Sequence, residues 1–180
     1  SGIYNCTISN DYCSTLSNQF EVIVYDLPIS ELNYIGNLDL CDGELIEFNS
    51  TPNCTWNWSN NQINGNLIVD SSSDVYVTVI DENGCEGEQS EIVQVSVYEN
   101  PNIEYEISSH EICKGDDVVI ESIGDYDVAW DSYGTDFIQL DTVSIVSEPE
   151  ESCTFILTGT NANGCSSEEL IQVMVHALPE

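Results

Sequence analysis

The sequence predicts an all-β chain made of tandem antiparallel β-sandwich domains. Three observations support this prediction: a ten-residue segment occurs three times, short runs of alternating apolar and polar residues separate the copies, and Asn-Gly pairs recur between those runs. The three copies are Tyr4 to Cys13, Tyr76 to Cys85 and Ile156 to Cys165. Each is followed by a proline, at position 28, 101 or 179, so the period is about 73 to 78 residues. A period of that length indicates whole small domains rather than solenoid units.

The predicted strands are short and bury one face. Val75-Tyr-Val-Thr-Val79 and Val93-Gln-Val-Ser-Val97 alternate apolar and polar residues throughout, which is the two-residue periodicity of such strands. The first complete repeat has runs at 45–48, 54–58, 66–69, 75–80 and 92–97, and the second has runs at 118–120, 128–130, 137–140, 154–157 and 170–175. Asn-Gly at 64–65, 83–84 and 163–164 supplies the positive-φ residues that tight hairpins need. This density of short strands is typical of a sandwich.

The prolines divide the chain into three predicted parts. Residues 1–28 are expected to be the C-terminal part of a truncated domain, and residues 29–101 and 102–180 to form one domain each. The link Tyr98-Glu-Asn-Pro-Asn102 is short, and its proline stiffens the chain and ends the preceding strand. Stiff, short links favour a rod. Because the first part lacks its front half, we expect an internal fragment of a longer exported protein.

The charge of the chain excludes several classes of partner. Lys114 is the one basic residue against 33 acidic ones, which gives a formal charge of −32. Phosphate recognition needs clusters of Lys and Arg, so we expect no nucleic-acid partner. No apolar run is long enough for a membrane span, so this segment is not expected to insert into a bilayer. The 41% of hydrophobic residues suffices for folded cores, and the acidic residues then form a solvated coat whose self-repulsion bound cations would relieve.

Eight cysteines recur at comparable places in the repeats, which indicates disulfides and an extracytoplasmic location. Zinc is disfavoured because there is no Cys-x-x-Cys pair and the two histidines lie far from a second ligand. The positions of the cysteines suggest two disulfides within repeats, Cys41 with Cys85 and Cys113 with Cys165. Cys13 would seek a partner upstream of residue 1. The pairing of the remaining three is left open: Cys6, Cys54 and Cys153.

The order of cysteine and tryptophan suggests a particular kind of sandwich. Trp56 follows Cys41, Trp130 follows Cys113, and another cysteine comes later in each repeat. This order resembles the immunoglobulin-type core, in which a tryptophan packs on a disulfide that joins the two sheets. The predicted fold is therefore a rod of tandem immunoglobulin-like antiparallel β-sandwich domains.

A family resemblance rests on the same residues. The pattern Cys-x-Gly, then Trp, then Tyr76-x-Val-Thr-Val-x-Asp-x-Asn-Gly-Cys85, then Val-x-Val and Pro resembles the Ig-like or PKD-like repeats of giant Bacteroidetes cell-surface adhesins. That family includes gliding-motility adhesins and other cargo of the type 9 secretion system. The resemblance implies an adhesive or spacer role at the bacterial cell surface, with neighbouring repeats, the secretion machinery and a surface or glycan as partners. It also suggests O-glycosylation at Thr142, within Asp141-Thr142-Val143.

Enzymatic motifs are absent from the sequence. There is no Gly-x-Ser-x-Gly, no His-Glu-x-x-His and no phosphate-binding glycine loop, so we expect no catalysis. Calcium is the one cofactor that the composition suggests, because it takes oxygen ligands. The candidate ligands are Asp81, Asn83, Asp116, Asp117, Asp125 and Asp127. The alternative is that these residues belong only to the solvated acidic face.

Two other function classes remain open at this point. In the first, the domains are carbohydrate- or ligand-binding modules in which exposed aromatic residues such as Trp58, Tyr133 or Tyr34 grip a glycan. In the second, they are accessory domains of a secreted enzyme whose catalytic domain lies elsewhere. The burial of Trp58 distinguishes a core residue from a ligand-binding one. Trp56 and Trp58 share one face of a regular strand, so both can belong to the core. A buried Trp58 disfavours ligand binding.

Overall fold

The computed structural model describes residues 1–179, and Glu180, the last residue of the second predicted repeat, lies outside them. Those residues form strands and turns. They include no helix that is long and apolar enough to span a membrane. The strands up to Tyr98 are β1 (Gly2–Tyr4), β2 (Thr7–Ser9), β3 (Ser14–Leu16), β4 (Phe20–Val22), β5 (Leu32–Tyr34), β6 (Asp39–Cys41), β7 (Ile46–Ser50), β8 (Thr55–Trp58), β9 (Leu67–Val69), β10 (Ser73–Val75), β11 (Val77–Ile80) and β12 (Val93–Tyr98). The later strands are β13 (Glu104–Ile107), β14 (Glu111–Cys113), β15 (Val118–Ile123), β16 (Asp127–Tyr133), β17 (Ile138–Gln139), β18 (Ser144–Ser147), β19 (Cys153–Thr160) and β20 (Ser166–His176). The all-β prediction is confirmed.

The chain divides into two compact units that are not continuous in sequence. Unit 1 comprises residues 1–38 and 45–96, and unit 2 comprises residues 39–44 and the chain from Val97 onward. The segment 39–44 lies in the first predicted repeat, yet it belongs to the same unit as the second predicted repeat. Residues 1–28 are part of unit 1.

Unit 1 is built from small antiparallel sheets whose inward residues alternate along each strand. Strand β7 pairs with β5 on one side and β9 on the other, so that Phe48 lies opposite Tyr34 and Leu67. Other antiparallel pairs are β8 with β11, β10 with β12, and the hairpin strands β1 with β4 and β2 with β3. Val77 and Val79 are fully buried between half-buried neighbours in β11, as the alternation predicts. The apolar side chains buried in unit 1 are Ile46, Phe48, Trp58, Leu67, Val69, Val75, Val77, Val79 and Val95.

Unit 2 contains two four-stranded sheets. Their strand orders are β13-β15-β18-β17 and β14-β20-β19-β16. Strand β19 alternates buried and half-buried residues over its whole length, and it places Phe155 and Leu157 in the core. The core cluster comprises Ile112, Val118, Ile120, Ile145, Cys153, Phe155, Leu157, Ile171 and Val173. Strand β14 runs parallel to β20, with Cys113 opposite His176.

Strand β18 is one that the apolar pattern did not predict, because two of its buried residues are serines. The Ser147 hydroxyl donates to the Asp136 carbonyl at 2.6 Å, and the Ser144 hydroxyl donates to a carboxylate oxygen of Asp141 at 2.7 Å. Because these hydroxyls have partners, their burial costs little. The strand therefore lies inside a sheet despite its polar composition.

Candidate functional site

The repeated ten-residue segment ends in a turn that one side-chain oxygen holds in place. Asp81 Oδ1 accepts hydrogen bonds from the backbone N–H of Asn83 at 2.9 Å and of Cys85 at 2.8 Å. A hydrogen bond from the Asp81 N–H to the Cys85 carbonyl, 3.0 Å long, closes the turn. Gly84 has a φ of 81°, a conformation that favours glycine and explains the Asn-Gly pair.

The same turn recurs in the last copy of the segment with an uncharged acceptor. Asn161 Oδ1 accepts from the N–H of Asn163 at 3.0 Å and of Cys165 at 3.1 Å, and Gly164 has a φ of 84°. The first copy uses the oxygen of Asn10 in a similar way. The repeated sequence therefore encodes a hydrogen-bonded turn, named here the Asx-Cys turn, that presents a cysteine at its end.

The hydrogen bonds of this turn also set the protonation of Asp81. The N–H of Cys85 lowers the pKa of the Asp81 carboxyl, partial burial opposes this effect, and Asn83 adds to the lowering. The carboxylate thus satisfies backbone donors of its own turn.

We expect the turn at Asp81 to weaken at acid pH. A depressed pKa in the folded state means that the stabilisation is complete above the unfolded value of about 3.9 and is lost as pH falls through the folded pKa. The matched variant is Asp81→Asn, which keeps an acceptor oxygen as Asn161 does. Urea unfolding should show the wild type more stable at neutral pH, with the gap in stability closing as the pH falls below the unfolded pKa of about 3.9 and through the lowered folded pKa. A gap that stays constant with pH would contradict the assignment.

A second cysteine-bearing turn begins each complete repeat, and we name it the Cys-Gly turn. In the first, the Cys41 N–H donates to Glu44 Oε2 at 2.8 Å, and the Glu44 N–H donates to the Cys41 carbonyl at 2.9 Å. In the second, the Cys113 N–H donates to Asp116 Oδ2 at 3.2 Å, and the Asp116 N–H donates back at 3.0 Å. The glycines at 43 and 115 have φ of 88° and 94°, as position i+2 of a type II turn requires.

The two kinds of turn meet in unit 2, where a disulfide joins Cys41 to Cys165. Their Cα atoms are 5.5 Å apart and 124 positions separate them in sequence. The Asn161 side-chain amide donates to the Glu99 carbonyl at 2.9 Å beside the disulfide. Cys165 is fully buried. The disulfide thus lies at a packed junction between a Cys-Gly turn and an Asx-Cys turn.

This disulfide corrects the predicted pairing. Cys41 does not pair with Cys85, and Cys113 does not pair with Cys165, because the segment 39–44 belongs to unit 2 and brings Cys41 to Cys165. The pairing connects two successive sequence repeats instead of closing a loop within one. Neither Cys41–Cys85 nor Cys113–Cys165 therefore forms the disulfide that was predicted to join the two sheets of one sandwich.

The other cysteines are free thiols in the structure: Cys6, Cys13, Cys54, Cys85, Cys113 and Cys153. Disulfides at these positions stay predictions. Cys153 is buried in the core of unit 2, and burial raises the pKa of its thiol. It therefore behaves as a small apolar core residue that resists ionisation.

The tryptophans of unit 1 serve the core. Trp58 is 3% exposed, and its Nε1–H donates to the Gly65 carbonyl at 2.9 Å. Trp56 is half-buried, donates to the Thr51 carbonyl at 2.7 Å, and packs edge-on against Trp58 with ring centroids 6.1 Å apart. Trp58 is thus unavailable as a glycan platform.

The other aromatic candidates lie apart from this pair. The ring of Tyr34 packs against buried Phe48 at 5.2 Å. Tyr133 is 67% exposed. It lines an open cavity of about 520 Å³ in unit 2 with His110 and Gln172, so Tyr133 is an aromatic candidate that faces a recess.

The candidate calcium ligands are not assembled into one site. Asp81 and Asp116 accept backbone hydrogen bonds within their own turns, and Asp117, Asp125 and Asp127 are exposed. Within residues 1–179, no three His, Cys, Asp or Glu side chains are grouped so as to hold a metal ion. Asn83 also bonds to Asp81. Calcium binding stays a prediction.

The predicted glycosylation position lies on an exposed turn between β17 and β18. Asp141 Oδ1 accepts from the Val143 N–H at 2.9 Å, and hydrogen bonds led by the Ser144 hydroxyl lower the pKa of its carboxyl. Thr142 is exposed at this turn. The modification itself stays a prediction.

Comparison with known proteins supports the fold. No family model matches the sequence, and no curated protein is significantly similar to it. Among solved structures, the N-terminal eight Ig domains of Down Syndrome Cell Adhesion Molecule align with 98% of this chain at 14% identity and a TM-score of 0.50, and the match spans 27% of that chain. Murine CEACAM1b aligns at 9% identity over 82% of this chain and 100% of its own, with a TM-score of 0.34.

Similarity at this level of identity shows the fold alone. The sheets of unit 2, the alternating strands of unit 1 and the likeness to the eight-domain structure together define the class. The chain consists of tandem immunoglobulin-like antiparallel β-sandwiches.

Proposed function

We propose that this chain is a non-catalytic segment of a large secreted adhesin or filament at the bacterial cell surface, acting as a disulfide-stapled stalk and adhesive repeat. The observation that carries the proposal is the reuse of the same two cysteine turns in successive repeats, one pair of which the Cys41–Cys165 disulfide closes. A crosslink between successive repeats keeps a tandem array connected under load. Such an array extends reach and multiplies weak contacts.

The resemblance to gliding-motility adhesins favours export by the type 9 secretion system and a role in movement over surfaces. The surface charge supports an extracellular, highly solvated stalk, because 33 acidic residues against one basic residue keep the chain soluble. The same distribution disfavours nucleic acid as a partner. The attachment target is a surface or a glycan.

Repeat deletion tests this function. In cells that display the protein carrying this segment, residues 29–101 or 102–180 are deleted singly and then together, and attachment to a coated surface is counted. We expect a graded loss with the number of repeats removed. The matched control replaces 102–180 by a second copy of 29–101, which restores length and should restore attachment. If one repeat proves indispensable while its length-matched replacement is inactive, a dedicated site lies in that repeat and the stalk function is wrong.

A ligand-binding module is the second candidate, and the cavity beside Tyr133 is the observation that favours it. An exposed tyrosine ring next to His110 and Gln172 combines a stacking face with polar groups, which is the chemistry of sugar recognition. Glycan-array binding that Tyr133→Ala abolishes would support this candidate over the stalk.

A further inference from the structure

We propose that Cys113 is half of a second junction of the same kind, and that it forms a disulfide with the Asx-Cys turn of another repeat joined after Pro179. This inference goes beyond the proposed function, because it concerns covalent connectivity and holds whether or not the chain is adhesive. The partner is defined by its chemistry: a turn of the type Asx-x-Asn-Gly-Cys that presents a thiol at its end.

The Cys-Gly turn at Cys113 is built like the one that already carries a disulfide. At Cys41, the Asp42 N–H donates to the carbonyl of Tyr98, where β12 ends, at 2.8 Å. At Cys113, the Lys114 N–H donates to the carbonyl of His176, where β20 ends, at 2.9 Å. Both turns are therefore fixed to the last strand of their repeat, just ahead of a proline.

A side-chain pair repeats beside each turn as well. The Tyr98 hydroxyl donates to Asp39 Oδ1 at 3.3 Å, and His176 Nε2 lies 3.1 Å from Glu111 Oε2. Each pair joins the ring at the strand end to the acid that begins the Cys-bearing strand. The correspondence thus extends from the turn to the strands that hold it, which a chance cysteine would not show.

The free thiols of Cys113 and Cys85 are consistent with two further junctions of this kind, of which this chain contains one turn each. Cys113 is exposed and carries no disulfide, whereas Cys165, which has its partner, is fully buried. In the other direction, Cys85 ends an Asx-Cys turn built like that of Cys165, yet it is half-buried and free. Cys113 is therefore the cysteine of a Cys-Gly turn, and Cys85 the cysteine of an Asx-Cys turn, that has no disulfide within residues 1–179.

One position departs from the pattern. The Asn100 side-chain amide donates to the Asp42 carbonyl at 3.1 Å in the closed junction, whereas Leu178 stands before Pro179 at the corresponding place. Leucine has no such donor. The second junction therefore has one hydrogen bond fewer, and the disulfide contributes a larger share of its stability.

Formation of the bond is an oxidation with a defined electron balance. The two thiols lose two protons and two electrons and become one S–S bond, and a low-molecular-weight disulfide such as oxidised glutathione is reduced to two thiols. The reaction passes through a mixed disulfide on the more accessible sulfur. The exposure of Cys113 makes it the site where that exchange begins.

The test extends the full chain by a second copy of residues 102–180 and refolds it in a glutathione redox buffer. Free thiols are alkylated, and disulfide-linked peptides are identified by mass spectrometry without reduction. We expect two links: Cys41 to Cys165, and Cys113 to the cysteine of the appended Asx-Cys turn. With Cys113→Ser, the appended cysteine should be alkylated instead, while the Cys41 link stays.

Three results would overturn the proposal. In the first, Cys113 is alkylated although Cys41 and Cys165 are joined, which shows that a folded junction leaves it free. In the second, Cys113 links two separate chains, seen as a covalent dimer on a non-reducing gel. In the third, the Cys41 link itself fails to form in the extended chain, which removes the pattern on which the proposal depends.

Discussion

Replacing Cys41 by Ser is expected to lower the free energy of unfolding of unit 2 by about 2 to 5 kcal/mol. The disulfide closes a loop of 124 positions, and the chain-entropy model gives about 5 kcal/mol for a loop of that length. The lower figure allows for residual structure in the unfolded chain. Urea unfolding followed by circular dichroism, in oxidising and reducing buffer, measures the change. The variant should be insensitive to reductant.

The matched control is Cys113→Ser, which removes an exposed thiol of the same type of turn and leaves the Cys41–Cys165 disulfide in place. Its stability should stay within about 0.5 kcal/mol of the wild type. Equal losses in both variants would show that the serine substitution, and not the crosslink, causes the effect. No loss in Cys41→Ser would mean that the disulfide adds nothing to the fold.

Replacing Phe155 by Ala is expected to cost about 3 to 5 kcal/mol, because the removed ring leaves a cavity that the surrounding strands only partly fill. Phe155 is fully buried in β19 and lies opposite Ile171, which is also fully buried. Thermal or urea unfolding of the purified chain measures the loss. The sheet β14-β20-β19-β16 should be the part most affected.

Leu170→Ala is the control for this substitution. Leu170 lies next to Ile171 in β20, but it faces away from the core and is 60% exposed. Its replacement should change stability by no more than about 0.5 kcal/mol. A large loss here, or a small one at Phe155, would mean that the assigned inward face of this sheet is reversed.

Strand formation was predictable because it depends on local alternation. Val77 and Val79 were expected on the buried face, and both are fully buried. Strand β18 was not predicted, because two of its buried residues, Ser144 and Ser147, are polar and nearby oxygens accept from their hydroxyls. Those acceptors lie at Asp141 and Asp136, and alternation alone does not reveal such pairs.

The sequence also predicted that Trp56 and Trp58 share a face, but not which of the two is exposed. Their order along the strand is equally compatible with a core pair or with a binding platform. Packing decided the matter: Trp58 reaches the Gly65 carbonyl from inside the core, and Trp56 covers its edge. Of the aromatic residues that the sequence offered as ligand-binding candidates, Tyr133 is exposed and lines a cavity, which only the tertiary structure shows.

By itself, the sequence determined the repeat, the all-β class, the acidic composition and the Asn-Gly turns ahead of Cys85 and Cys165, because each follows from composition or from residues close together in the chain. It did not determine which turns meet. Every complete repeat has one Cys-Gly turn and one Asx-Cys turn, and from the sequence we predicted a disulfide within the repeat, Cys41 with Cys85, whereas Cys41 pairs with Cys165. Only the tertiary structure decided, because the segment 39–44 packs within unit 2, where the Asx-Cys turn of Cys165 lies beside it.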